Sequence, residues 1–99
     1  YKMNVLADLH RKPLERTYEY AVAEMDEHGD IQDYAFTDTY SEALGSAALI
    51  DGNSMIELWV NVGNDEQGLV NRDMYEIFDG ALRGDYPKHV EKHFEKTRT

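Results

Sequence analysis

His89 and His93 stand four residues apart with Asp85 one turn earlier, so on a helix all three would point to one side, a spacing that suits a divalent metal. The arrangement stops short of a site. The HExxH order that gives a zinc protease its general base is absent, the spacing specifies no third ligand, and histidines beside helix-end lysines ordinarily face water. No metal is expected at this pair. Asp26, Asp30 and Asp33 surround Gly29 with calcium-type ligands, but a loop counted from Asp26 ends at Thr37, where a bidentate glutamate belongs. A polar hairpin turn accounts for them.

Carboxylates are plentiful, yet acid–base catalysis needs two of them in different environments within one pocket, and abundance alone does not supply that. The chain contains no GxGxxG, GxxxxGK[ST] or GxSxG, and Ser41, Ser46 and Ser54 have no neighbouring histidine. Without cysteine there is no thiol nucleophile, thiolate zinc site or disulfide framework. Arg83-Gly84-Asp85 spells an adhesion tripeptide, but the same residues end one helix with glycine and cap the next with aspartate. The expectation is a protein that is not an enzyme and carries no cofactor. The enzymatic alternative would rest on His89 and His93 or on an acidic pair.

Charge is the most informative property. The chain has 20 acidic and 10 basic residues in 99, a net charge of −10. From Thr17 to Asn71 there is no lysine or arginine, while twelve carboxylates occur there, among them Glu19, Glu24, Asp26, Asp33 and Glu57. The flanking segments nearly neutralise themselves. Such a balance argues against direct nucleic-acid binding, which relies on basic residues neutralising phosphates. It suits either a solvated surface or an electronegative face for a basic partner, because ordinary surfaces intersperse the two signs.

These residues need elements to position them. The length suits one domain over 1–99, and 41% hydrophobic residues are enough for a core. No apolar run is long enough to span a membrane, and the first residues lack the order of a signal peptide, so a cytoplasmic location is the default expectation. Asn4 to His10 has helical spacing ahead of Pro13. Thr17–Met25 and Ile31–Thr37 are rich in strand formers around the turn at Gly29, which predicts a hairpin. Thr39-Tyr40-Ser41-Glu42 is a capping box opening a helix of about 40–50. Met55–Val62 alternates as a third strand. Met74, Ile77, Phe78, Ala81 and Leu82 fall at helical spacing before Gly84, and Asp85 with Pro87 can start a last helix bearing Val90 and Phe94. The predicted order is ββαβαα, an α+β fold with a small antiparallel sheet of about three strands and helices on one face.

Alternation then places Tyr18, Tyr20, Val22, Tyr34, Phe36, Ile56, Leu58 and Val60 on the buried face. Opposite them lie Glu19, Ala21, Ala23, Asp33, Ala35, Glu57, Trp59 and Asn61. Trp59 would be the one large apolar group of that second face, ringed by carboxylates. Either the N-terminal segment or a terminal helix covers it, or it anchors a partner. The expected partner-binding set is Glu19, Glu24, Asp26, Asp33, Glu57 and Trp59.

The stretch Thr37-Asp38-Thr39-Tyr40-Ser41-Glu42-Ala43-Leu44 after a hairpin resembles the strand-then-helix start of HicB-type antitoxins, over under a tenth of the chain. The family's Pro-Asp-Leu-Pro-Gly stretch is missing, and no functional residue is carried across. In size and acidity the chain also resembles antirestriction and anti-CRISPR inhibitors, a likeness of composition. The leading expectation is a non-catalytic acidic protein that occludes a basic surface of a protein partner, such as a nucleic-acid channel, by placing carboxylates where phosphates would lie. The rival is an intracellular antitoxin or adaptor that caps a cationic partner without mimicking DNA.

Overall fold

Alternating tyrosine and valine from Tyr18 to Val22 build β1 (Glu15–Met25), which a tight turn returns as β2 (Ile31–Thr37). The computed structural model describes residues 14–64 and 68–99, so the segment with helical spacing at Asn4–His10 lies outside the described residues. The turn is held by one carboxylate. Asp26 Oδ1 accepts the His28 and Asp30 amides at 2.9 Å each, its Oδ2 accepts Gln32 Nε2 at 3.0 Å, and Gly29 takes φ +86°. An Asx-type turn of this kind uses the acids as local hydrogen-bond acceptors.

Helix α1 (Tyr40–Ala48) begins at the capping box. Thr39 Oγ1 accepts the Glu42 amide at 3.1 Å, and Glu42 Oε1 accepts the Thr39 amide at 3.2 Å. The helix carries the chain over β1 to β3 (Asn53–Asn64), which pairs antiparallel with β1 from Glu15↔Gly63 to Met25↔Asn53. β4 (Gly68–Phe78) and β5 (Ala81–Leu82) follow, and α2 (Lys88–Lys96) closes the described chain.

The sheet therefore has five strands in the order β2-β1-β3-β4-β5. This corrects the three-stranded ββαβαα arrangement expected from the sequence. The error lies at 74–82, where a hairpin stands in place of a helix. Asp79 at φ 56° and Gly80 at φ 79° form the left-handed pair of a tight hairpin turn, a conformation that Asp-Gly adopts readily. The apparent helical stripe merges two faces of a sheet. Ile77 pairs with Leu82 on one side, while Phe78 pairs with Ala81 and shares the other with Met74. At the other end of β4, where it pairs with β3, the two strands come so close that a Cβ on Gly63 would run into the Gly68 carbonyl.

Both helices pack on the face that carries Tyr20, Val22, Ile56, Leu58, Val60 and Ile77, with Tyr40, Ala43, Val90 and Phe94 completing the core. Tyr20 and Leu58 are fully buried. The two helices are also tied to each other, because the Tyr40 amide donates to the Thr97 carbonyl at 2.9 Å. Tyr34 and Phe36 do not join this core, contrary to the alternation argument. Phe36 pairs with Ala21 and Tyr34 with Ala23, which puts both rings on the opposite face, while Asp33 and Ala35 take the helix side. The cause is the register shift at Glu24/Met25: one extra residue in β2 reverses its phase relative to β1. Among the described residues, no helix is long and apolar enough to cross a membrane.

Candidate functional site

Trp59 is at the middle of the face opposite the helices, and it is 6% exposed. Its neighbours come from three strands. The rings of Tyr34 and Phe36 meet it edge-on at 5.0 and 5.2 Å, and the Arg72 guanidinium lies 4.5 Å above it. Glu57 Oε1 accepts the indole N–H at 3.2 Å. A polar chain runs alongside: Arg72 Nε donates to Asn61 Oδ1 at 2.7 Å, and Asn61 Nδ2 donates to Glu19 Oε2 at 2.7 Å. Each buried polar atom of Asn61 is thus satisfied, as a nearly buried amide requires. Around this cluster Phe36, Met74 and Phe78 are about half exposed or more.

The predicted binding set separates into two places. Glu19, Glu57 and Trp59 come together in this cluster. Glu24, Asp26 and Asp33 lie instead at the end of the sheet formed by the β1–β2 turn. There Glu24 faces Asp33 across the two strands, and a shallow depression beside them is lined by Glu24, Asp26, Gln32, Ile50, Asp51 and Gly52. Asp33 therefore does not flank Trp59. Two like charges directly opposite on neighbouring strands repel one another, while within the turn His28 Nε2 lies 3.6 Å from Glu27 Oε1. Among the described residues, no lysine or arginine pairs with the carboxylates of the turn end.

Arg72 is the residue that sequence reasoning missed. It lies just past the base-free stretch, yet it pairs with Asn61 across β3–β4 and delivers a cation to the centre of the surface expected to be purely anionic. The Asp79-Gly80 turn was the available signal, because it places the preceding residues in a strand beside β3.

The histidines belong to the helix side. Tyr18 stacks on the His93 ring at 3.9 Å with the planes 8° apart, and its hydroxyl is hydrogen-bonded to His89 Nδ1 at 3.0 Å. Burial, with Lys96 nearby, lowers the His93 pKa below the ordinary imidazole value. The Thr97 hydroxyl donates to the His93 carbonyl at 2.7 Å, so in the 2.6 Å contact with Tyr20 the phenol is the donor. These contacts make the pair a latch for α2. Among the described residues, no group of three or more histidine, aspartate or glutamate side chains is arranged to hold a metal ion.

The stretch Thr37–Leu44 is accounted for by its capping geometry. The chain matches no protein-family profile, no curated protein and no solved structure.

Proposed function

We propose that this is a non-catalytic binding protein whose acidic turn end covers a basic surface of a partner protein, with its carboxylates standing where nucleic-acid phosphates would lie. The observation that carries the proposal is the convergence of Glu24, Asp26, Glu27, Asp30, Asp33 and Asp51 at one end of the sheet, with Glu24 and Asp33 directly opposed. A cationic groove relieves that repulsion on contact, which favours association. Carboxylates clustered in this way attract such a groove over about a Debye length, roughly 8 Å at physiological salt, and so act mainly on the association rate. A protein of this kind would inhibit a nucleic-acid-processing assembly by occupying its channel, the role played by the anti-defence inhibitors it resembles in composition.

The test captures a partner from host lysate after nuclease treatment and follows its association with the full chain. Association is expected to slow as salt rises, to be competed by a short DNA duplex, and to slow further in the triple variant Glu24→Lys, Asp30→Lys, Asp33→Lys, which spares the Asp26 carboxylate that holds the turn. The double variant Glu19→Lys, Glu57→Lys alters the Trp59 cluster instead and is expected to have the smaller effect on association. A partner whose binding ignores both salt and the triple reversal would overturn the proposal.

A further inference from the structure

The two edges of the sheet are unequal. On one side the edge is shared by the two-residue β5, which covers Ile77 and Phe78, and by the rest of β4, which carries the charged Arg72, Asp73 and Glu76. On the other side, among the described residues, the seven-residue β2 has β1 as its one neighbour. Natural edges are usually guarded by lysine, proline or extreme shortness. Between Ile31 and Thr37 there is no lysine or proline. The guard here is a carboxylate: Asp33 Oδ1 accepts the Tyr34 amide at 2.8 Å. That amide is therefore not spent on β1. In an antiparallel ladder alternate residues aim both main-chain groups away from the partner, so Tyr34 and Phe36 present theirs to the open edge.

The side chains beside this edge differ on its two sides. On the helix side stands Asp33, with Glu24 opposite it on β1. On the other side stand Tyr34 and Phe36, their rings 6.0 Å apart, with Phe36 49% exposed. An incoming strand would thus meet carboxylates with one set of alternate residues and aromatic rings with the next.

We propose that β2 is a strand-addition site for an extended segment of the basic partner in which lysine or arginine alternates with apolar residues. The inference rests on the function proposed above and specifies how the partner is held. Charge selects this occupant over a second copy of the chain, because antiparallel pairing of β2 with itself about Tyr34 would set Asp30 of each copy against Asp38 of the other, with no basic residue in the strand to offset them. The incoming main chain would displace the Asp33 carboxylate from the Tyr34 amide and leave it free to meet a lysine.

The experiment uses the full chain and a short peptide alternating lysine with valine, followed by amide chemical shifts. Binding should move the Tyr34 and Phe36 amides most and should protect them from hydrogen exchange. Two further peptides carry N-methyl groups on one or the other set of alternate residues. One should lose at least about tenfold in affinity, because its facing edge can no longer donate, and the other should bind like the parent. Asp33→Asn keeps the local acceptor while removing the charge, and should weaken binding of the parent peptide. No binding of the parent peptide would overturn the proposal. Equal binding of both methylated peptides would overturn edge pairing while leaving recognition of basic partners intact. Sedimentation showing self-association through β2 would assign the edge to a second copy and overturn it equally.

Discussion

The two faces of this sheet are built from the same alternating strands, yet they are finished in different ways. On one face Tyr20, Val22, Leu58 and Val60 disappear beneath two helices. On the other, Trp59 is buried among rings, a guanidinium and short polar links supplied by neighbouring strands, and Phe36, Met74 and Phe78 remain largely open. Alternation establishes which residues share a side. It does not say how that side is covered, because the cover comes from elements remote in sequence.

The largest expected effect tests the covered face. Leu58→Ala removes a fully buried side chain from beneath the helices and should cost about 2–5 kcal/mol in urea unfolding. A loss below about 1 kcal/mol would mean that this face is not the principal core. Arg72→Ala should cost roughly 1–2 kcal/mol by removing a cation over Trp59 and a charged hydrogen bond to Asn61. Because the protein has a single tryptophan, its fluorescence reports on that face directly, and the emission should change in Arg72→Ala but little in Leu58→Ala variants that remain folded.

A pH titration separates the faces in another way. Burial holds His93 below its ordinary value of 6.5, so the folded chain binds fewer protons than the unfolded one in the window below that value. Stability contributed by the neutral ring is fully present above pH 6.5 and declines as pH falls through the lowered folded pKa. His93→Gln should flatten this part of the urea-midpoint profile, and Arg72→Ala should leave it unchanged. Smallest of all, Phe36→Ala removes a half-exposed ring that meets Trp59 edge-on and should cost roughly 0.5–1.5 kcal/mol. A loss comparable to that of Leu58→Ala would show that the second face is as fully closed as the first.

Short-range patterns were the legible part of the fold. The Thr39/Glu42 capping box, the acid-held turn at Asp26–Asp30 and the alternation of β3 all depend on residues within a few positions of each other, so their chemistry is complete in the sequence. The stretch 74–82 was misread because its apolar spacing fits a helix as well as a hairpin, and the deciding element was the left-handed Asp79-Gly80 pair between two runs.

The candidate surface was legible in composition and illegible in arrangement. Its acidity and the lone tryptophan are properties of the chain itself. The side that Tyr34, Phe36 and Asp33 occupy was decided by a one-residue bulge, since a strand's period of two converts a single extra residue into a reversal of faces. The placement of Arg72 over Trp59 was decided by pairing between β3 and β4, which brings together residues whose charges look segregated along the chain. Local hydrogen bonding and periodicity act over a few residues and are written in the sequence, whereas strand order and register arise from the mutual packing of the whole sheet and emerge only when it closes.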